Sequence, residues 1–530
     1  MTPAARHRFE KMRRERRVFA GAVGATAAAI LIFTLMAIRF AEGRTSPAAS
    51  ASEPAVSEVL AVMPFEEVGP APTHDAFGVG IADTIISRLS AVADLTVRPM
   101  SASLGAIQGG GSALEAARRL DAVAVMVGEY AKKDERFEVR VRLLDTDSGD
   151  TLWEHQLDSG VRDLMAVEKQ VVDQTIAAML PHVRNEERAR RADPGRRDAT
   201  AHYLYLLARG KNATWESRPI PEAVELLEHA IRLDPDFAPA QAELATASAN
   251  MFLGGLSAEP MWVERAVAAG RRAVFLDDGD ASAHFALGYS LYVAGDPVGS
   301  ARETLHALRL DPRHAMALRN LATLVAGAGY AAPVRSLRDA ARKADPFIDV
   351  GWLDVWLAMI EGNYEHRMAG LRKEIDLRRS AGLSPELPIM QIGYLSFESG
   401  DSASGLRYAA MLEEVSANAA SADMVHLLAL SRLGNAAGMR RLIEKNKAFY
   451  TRTWDYCDLI GRALSAMGEK QEALDWLDRS AARGNFDLGT WERSVMLDPL
   501  RGDERFEADL AIVRDRTRRI VQLAEFAGYM

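Results

Sequence analysis

The feature that most constrains this 530-residue chain is a short motif that returns at a fixed interval. Leu-Asp-Pro or a close variant ends a helical pattern at 233–235, 276–278, 310–312 and 344–346. The last two intervals are 34 residues each, and the first is 43, which indicates an insertion of about nine residues around 252–260. A fixed period of this length predicts stacked helical hairpins, each stabilised by its neighbours.

Within the period 281–312, small residues occupy the positions where the two helices of a hairpin would cross. Gly288, Ser300 and Ala307 allow close approach, Gly295 makes the turn, and Pro312 ends the second helix. The pattern resembles the tetratricopeptide repeat (TPR). That resemblance implies an α-helical solenoid over residues 198–530, with a concave face that holds a protein or peptide partner.

The repeat pattern weakens after residue 346 but continues. A degenerate hairpin is expected around 392–400 and a clear one at 460–477, while residues 507–524 are expected to form a helix that covers the last hydrophobic face. Trp352 and Trp356 stand at helical spacing and are interpreted as repeat core, with an exposed aromatic anchor as the alternative.

Residues 58–182 alternate between short apolar runs and helical patterns, which predicts a small α/β domain. At 137–143 apolar residues alternate with charged ones, so one face of that strand is expected to be buried and the other wet. The expected strands are 58–65, 95–100, 123–130, 136–144 and 151–157, and the expected helices are 77–92, 112–120 and 164–180.

Five short segments of this region carry a resemblance to a known module. They are LAVMPF at 60–65, FGVGI at 77–81, VGEY at 127–130, LDTDSG at 144–149 and WE at 153–154. Together they resemble the TolB amino-terminal-like domain, which precedes TPR repeats in bacterial signalling proteins. In many relatives that module follows a CadC-type winged helix or a class III adenylate cyclase domain, so the resemblance implies the sensory half of such a protein.

A 21-residue segment without charge, at 18–38, is long enough to span a bilayer. Seven Arg or Lys residues precede it, which predicts a cytoplasmic basic tail at 1–17, a flexible linker at 39–57, and a periplasmic location for the rest, anchored in a bacterial inner membrane. Seventeen residues are too few for a winged helix or a cyclase domain. A cleaved signal peptide is the alternative, disfavoured because the apolar run is long and the Ala49-Ser50-Ala51 site is distant.

No motif for phosphate, zinc or serine chemistry is present, so the sequence predicts no catalytic, cofactor-binding or metal-binding residue and no enzymatic activity. Gly109–Ser112 is interpreted as a flexible loop, and Asp145, Asp147 and Asp150 as a turn rather than a calcium loop. Cys457 is interpreted as a small buried apolar residue. The remaining candidates are histidines interpreted as ordinary surface or core residues: His182, His202, His229, His284, His306 and His314.

These features favour a membrane-anchored interaction scaffold or sensor-like protein that binds a protein or peptide. The net charge of −9 argues against nucleic acid as a partner, because phosphate binding requires a basic face. Two alternatives stay open: an accessory regulator of a separate adenylate cyclase or transcription factor, and a non-catalytic subunit of an envelope enzyme complex.

Overall fold

A computed structural model shows how these segments pack. The predicted tail (1–17), membrane helix (18–38) and linker (39–57) lie outside the residues that it describes. Among the described residues, no helix is long and apolar enough to cross a membrane. Residues 58–530 belong to one compact unit. The described residues are 58–69, 75–90, 92, 95–133, 136–160, 164–180, 198–213, 220–253, 256–257, 259–380, 384–415 and 419–530.

The amino-terminal part is a mixed sheet of strand order β3-β1-β4-β5-β6, with the short β2 paired to β4. Strand β1 runs parallel to β3 and β4, whereas β4, β5 and β6 are antiparallel neighbours. The strands are β1 Glu58–Val62, β2 Glu66–Glu67, β3 Leu95–Val97, β4 Ala124–Lys133, β5 Arg136–Asp145 and β6 Thr151–Gly160.

Helices cover both faces of this sheet. Helices α1 (Ala76–Ser90) and α4 (Leu164–Met179) pack on one face, and α2 (Met100–Gln108) and α3 (Ala113–Arg119) on the other. Helix α3 begins with a capping box formed by Ser112 and Glu115. The predicted strand 95–100 ends early, because Pro99 instead starts helix α2, a position where its missing N–H is tolerated.

The carboxyl-terminal part contains eight helical hairpins within its described residues. Their first helices are α5 Ala199–Ala213, α7 Ala238–Leu253, α9 Ala281–Val293, α11 Ala315–Ala326, α13 Gly351–Glu361, α15 Glu386–Glu398, α17 Ala419–Arg432 and α20 Trp454–Ala466. Their second helices are α6 Ile220–Leu233, α8 Met261–Leu276, α10 Pro297–Leu310, α12 Ala331–Ala344, α14 Tyr364–Ser380, α16 Ser402–Val415, α18 Ala436–Lys445 and α21 Lys470–Ala482. The short α19 (Lys447–Tyr450) lies between α18 and α20.

The third hairpin, α9 and α10, shows why the repeat needs small residues. A Cβ atom on Gly288 would lie 3.0 Å from Thr304 Oγ1 and 3.2 Å from the Ser300 carbonyl oxygen, so only glycine fits without displacement. Gly295 makes the turn with φ +82°, and Asp296 then caps α10 by accepting from the Gly299 N–H. The inserted segment falls between α7 and α8, as predicted.

The chain after the last hairpin folds back onto the middle of the array. It comprises α22 (Leu488–Arg493), a 3₁₀ turn (Val495–Leu500) and the long α23 (Glu504–Phe526). Helix α23 contacts α10 and α11 as well as α21. The Gly489 N–H donates to the Gly327 carbonyl at 2.8 Å. The predicted terminal helix therefore does more than cover the last hairpin, because it joins the eighth hairpin to the third and fourth.

Two interfaces join the sheet to the repeats, and we call them the apolar and the polar interface. In the apolar interface, α1 crosses α5 so closely that a Cβ on Gly210 would overlap the Ala76 carbonyl oxygen. One hydrophobic core continues from the strands through α1 into the first three hairpins. The sheet domain and the repeats thus share a core, which the sequence did not predict.

The polar interface brings β3 and α2 against residues 313–347 of the array. Arg313 donates to the Leu95 carbonyl at 2.9 Å, and Arg98 donates to the Lys343 carbonyl at 2.7 Å. The Ser101 hydroxyl donates to Asp345 at 2.5 Å. These contacts hold the sheet against the fourth hairpin at a second place, distant in sequence from the first.

Candidate functional site

The first helices of the hairpins are buried over most of their circumference, and each of four retains a partly exposed or polar stripe. These helices are α7, α9, α11 and α13, and the two members on each are three or four residues apart, so they share one helix face. We call the set the inner stripe, and all its members except the buried Asn250 are partly exposed. It consists of Thr246, Asn250, Tyr289, Tyr292, Arg319, Thr323, Trp352 and Trp356.

Direct interactions show that neighbouring helices bring these side chains together. The Tyr289 hydroxyl on α9 donates to Asn250 Oδ1 on α7 at 2.9 Å. Burial raises the pKa of Tyr289, and the positive charge of Arg319 on α11 opposes that rise. Burial also raises the pKa of Tyr292, with Arg319 again opposing. Both phenols therefore stay protonated at neutral pH, and Arg319 lies near both of them.

One end of the inner stripe is occupied by the chain itself. Phe486 is fully buried. The centroid of its ring lies 6.2 Å from the ring centroid of Tyr292, 6.4 Å from that of Trp356 and 5.1 Å from that of Trp454. Its backbone carbonyl accepts from Thr517 at 2.7 Å. The concave face predicted as a peptide site is consequently shared between Phe486, the α23 side chains Ile520 and Leu523 of the same hydrophobic cluster, and the remaining, partly exposed stripe.

The two tryptophans predicted as repeat core are half-buried. Trp352 meets Tyr394 edge to face at 5.8 Å, and Trp356 packs against three hydrophobic clusters, including the one around Phe486. The interpretation as repeat core is therefore confirmed in part, because each indole packs in the array and stays partly exposed. The alternative of an aromatic anchor stays a prediction.

A buried ion network, which the sequence did not indicate, lies beyond the stripe. The guanidinium of Arg462 on α20 contacts Asp458 at 2.8 Å and Glu398 at 2.7 Å, and donates to the Tyr394 hydroxyl at 3.2 Å. Trp491 Nε1 donates to Asp458 at 2.6 Å. The network joins α15, α20 and α22. Because its members are up to 97 positions apart in the chain, no local pattern could have revealed it.

The histidines singled out in the sequence fall into different surroundings. His202 is buried beside Glu168 at 2.7 Å, and His284 contacts Glu303 at 2.8 Å while its ring stacks on that of His306 at 3.9 Å. His314 caps α11, His229 is exposed, and His182 lies outside the described residues. In the described part of the chain, no three His, Cys, Asp or Glu residues come together as metal ligands would.

The two remaining predictions about single sites hold. Asp145 Oδ1 accepts from the backbone N–H groups of Asp147 at 3.1 Å and Ser148 at 2.8 Å, which is the geometry of a turn. Cys457 is fully buried, and burial raises the pKa of its thiol to about 12, so it stays a neutral core residue at physiological pH.

Comparison with known proteins gives a partial sequence relative and a number of structural neighbours. No family model matches the chain. A segment of 233 residues, 44% of this chain, is 25% identical to "Putative adenylate cyclase 3" of Rhizobium meliloti and spans 40% of the length of that protein. The match therefore covers well under half of the relative.

Two of the structural neighbours show how low the similarity in sequence and in superposition is. A tetratricopeptide repeat protein from Parabacteroides merdae is 13% identical, covers 60% of this chain and superposes with a TM-score of 0.32. A human IFIT1 dimer with PPP-AAAA is 16% identical, covers 61% of this chain and gives a TM-score of 0.33. At these TM-scores neither superposition supports an argument, and the description of the array as helical hairpins depends on the contacts given above.

Proposed function

We propose that this chain is a membrane-anchored, non-catalytic interaction protein that binds a segment of another protein along its inner stripe. The observation that carries the proposal is the row of aromatic and polar side chains shared by four successive hairpins. Tyr and Trp supply rigid contact area at low entropic cost, and Asn and Thr add hydrogen-bonding groups. A row of this kind, held by packed helices, suits an extended polypeptide.

Binding at the inner stripe would also affect the sheet. Because the core is continuous from the strands into the first three hairpins, an event at the stripe can bias the sheet through packed side chains. The resemblance to the TolB amino-terminal-like domain and the partial similarity to a cyclase both favour a regulatory role beside a separate effector. A non-catalytic role in an envelope enzyme complex is the alternative.

The anchor and location belong to the same proposal. Residues 18–38 would span the inner membrane with the basic tail in the cytoplasm and residues 58–530 in the periplasm, which the seven preceding basic residues favour. A reporter active only outside the cytoplasm, fused after Met530, should be active. Activity of a reporter that works only in the cytoplasm would reverse this topology.

The binding role is tested by blocking the stripe. Thr323→Trp places an indole beside Arg319, and Ser336→Trp places one on the exposed face of α12 as the matched control. The full-length variants would be captured from membranes in mild detergent and the retained polypeptides identified. Polypeptides held by the wild type and by the control should be lost with Thr323→Trp. An unchanged set with Thr323→Trp would contradict the proposal.

A further inference from the structure

The first helices of the array carry several charged side chains, and most of the cations among them are paired with a carboxylate within the chain. Arg209 on α5 contacts Asp83 at 2.6 Å, Asp354 on α13 contacts Arg338 at 2.8 Å, and Arg462 lies between two carboxylates. This is the expected behaviour of charge in a crowded interior, because an unpaired charge removed from water is costly.

Arg319 departs from this pattern. Among the residues that the structure describes, its side chain makes no hydrogen bond and no ion pair, and no other cation on the first helices is in that condition. Arg319 is half-buried, so it has lost part of its hydration. It lies near the phenols of Tyr289 and Tyr292, which are neutral. A guanidinium so placed has five N–H donors, and none of the described carboxylates forms an ion pair with it.

We infer that Arg319 is the anchor for a carboxylate side chain of the bound polypeptide, so that the inner stripe selects an acidic segment. This inference deepens the proposed function and depends on it. A carboxylate matches the guanidinium fork with two parallel hydrogen bonds, and the two neutral phenols can stack on the chain beside it. Hydrogen bonds to the carboxylate would take the place of the hydrogen bonds with water that Arg319 has lost through partial burial.

The position of Arg319 favours binding of a carboxylate side chain over binding of the carboxylate at the end of a polypeptide. Helix α11 is the third of the four helices that form the stripe, with Asn250 and Tyr289 on the preceding helices and Trp352 on the following one. A polypeptide that contacts all four passes Arg319 in its middle. A nucleic acid is disfavoured, because a single unpaired cation cannot neutralise successive phosphates.

The test uses two pools of amidated octapeptides, one with Asp fixed at the fifth position and one with Asn there, with the other seven positions random among uncharged residues. Amidation removes the terminal carboxylate, so only the fixed side chain differs in charge. Fluorescein-labelled pools would be titrated with the full-length chain in mild detergent. The wild type should bind the Asp pool about tenfold more tightly than the Asn pool, a difference typical of one charge-assisted pair.

Variants decide whether Arg319 is responsible. Arg319→Gln should abolish the preference for Asp and Arg319→Lys should keep part of it, whereas Arg309→Gln, an equal charge change on the exposed face of α10, should leave it intact. Thermal unfolding of each variant would show that the fold is kept. An equal preference in Arg319→Gln and wild type would overturn the inference.

Other outcomes separate this inference from the proposed function. If both pools bind equally and Thr323→Trp abolishes that binding, the stripe binds peptides but Arg319 selects no acid, so the inference alone fails. If neither pool binds, both fail. Displacement of the Asp pool by an oligoribonucleotide, with affinity that falls steeply as salt rises, would assign the stripe to nucleic acid and overturn the inference.

Discussion

The sheet meets the repeats twice, and the two interfaces are built from different forces. In the apolar interface, α1 and α5 touch through glycines and share a continuous hydrophobic core. Separating the two helices would therefore expose apolar surface to water. The polar interface depends mainly on a few hydrogen bonds from Arg313, Arg98 and Ser101, with the Phe347 ring packed against Gly105 of α2. Burial of apolar area stabilises far more than a hydrogen bond exchanged with water. We therefore expect the apolar interface to stay closed in the folded protein and the polar interface to open at a lower free-energy cost.

The largest effect is expected at the apolar interface. Gly210→Ala places a methyl group where the Ala76 carbonyl oxygen lies, so the two helices must separate. Because backbone cannot move aside as a side chain can, we expect a loss of about 3 kcal/mol or more in the free energy of unfolding. Denaturant titration followed by circular dichroism measures it.

Gly370→Ala is the matched control for that substitution. Gly370 is an exposed residue of α14, and a Cβ there would meet no atom within 4 Å. The same change should therefore stabilise the chain slightly, by up to about 1 kcal/mol, through helix propensity alone. Equal effects at the two positions would show that α1 and α5 do not touch as described.

The second prediction concerns Gly288→Leu in the third hairpin. The new side chain meets Thr304 and Ser300 on α10, and overpacking of this kind costs typically about 1–3 kcal/mol. A sheet domain with a core of its own would survive such damage as an intact fragment. Since the shared core reaches Ala283 and Ala286 of α9, we now expect the sheet and the first three hairpins to lose protection together.

Limited proteolysis followed by mass spectrometry checks that expectation. Cleavage sites should appear in the sheet domain and in residues 199–310 at the same denaturant concentration. An amino-terminal fragment ending near residue 198 that resists the protease would mean that the two parts unfold independently.

The polar interface should respond more weakly. Arg313→Ala removes the donor to the Leu95 carbonyl, which should reduce the free energy of unfolding by about 1 kcal/mol. Amide exchange should accelerate in β3 and α2 while β4 and β5 stay protected. Arg309→Ala, an exposed arginine one turn away in sequence, controls for the lost charge. Slowed or unchanged exchange in β3 would mean that this interface does not hold the sheet.

The last prediction concerns a pH-dependent effect of an acid pair that attaches α23 to α21. Burial, followed by a hydrogen bond shared with Asp478, raises the pKa of Asp509 to about 7. A carboxyl whose pKa is raised by folding contributes stability below its unfolded pKa and loses that contribution as pH rises through the folded pKa. The contribution of Asp509 should therefore fall between about pH 4 and pH 7.

Asp509→Asn cannot ionise and should remove this part of the pH dependence. Unfolding free energies of the two proteins, compared from pH 4 to pH 8, should diverge in favour of the variant as pH rises. Parallel curves would show that Asp509 and Asp478 are not coupled in the folded protein.

Local patterns predicted much of this fold because local chemistry determines it. The capping box at Ser112, the turn at Asp145 and the close contact at Gly288 each depend on residues within about one helical turn or one hairpin. The 34-residue period identified the hairpins for the same reason. Hairpins between residues 347 and 455 were harder to predict, because their crossings use other residues, such as Phe397 against Gly405.

Contacts between distant segments could not be predicted in this way. Nothing near Phe486 in the sequence indicates that it lies among rings from α9, α13 and α20. Likewise, Arg313 looks like an ordinary polar turn residue until the fold brings it to β3. The inner stripe was anticipated only as a concave face, since the residues that line it depend on how tightly successive hairpins stack.

Site-specific photocrosslinking in cells tests most directly whether the inner stripe binds another polypeptide. A benzophenone amino acid would replace Tyr289 in the stripe and, as the matched control, Tyr330, which is 53% exposed outside it. The account predicts a discrete adduct at position 289, joined to an acidic segment of the partner, and no such adduct at 330. Absence of any adduct at 289, or the same adduct at both positions, would contradict it.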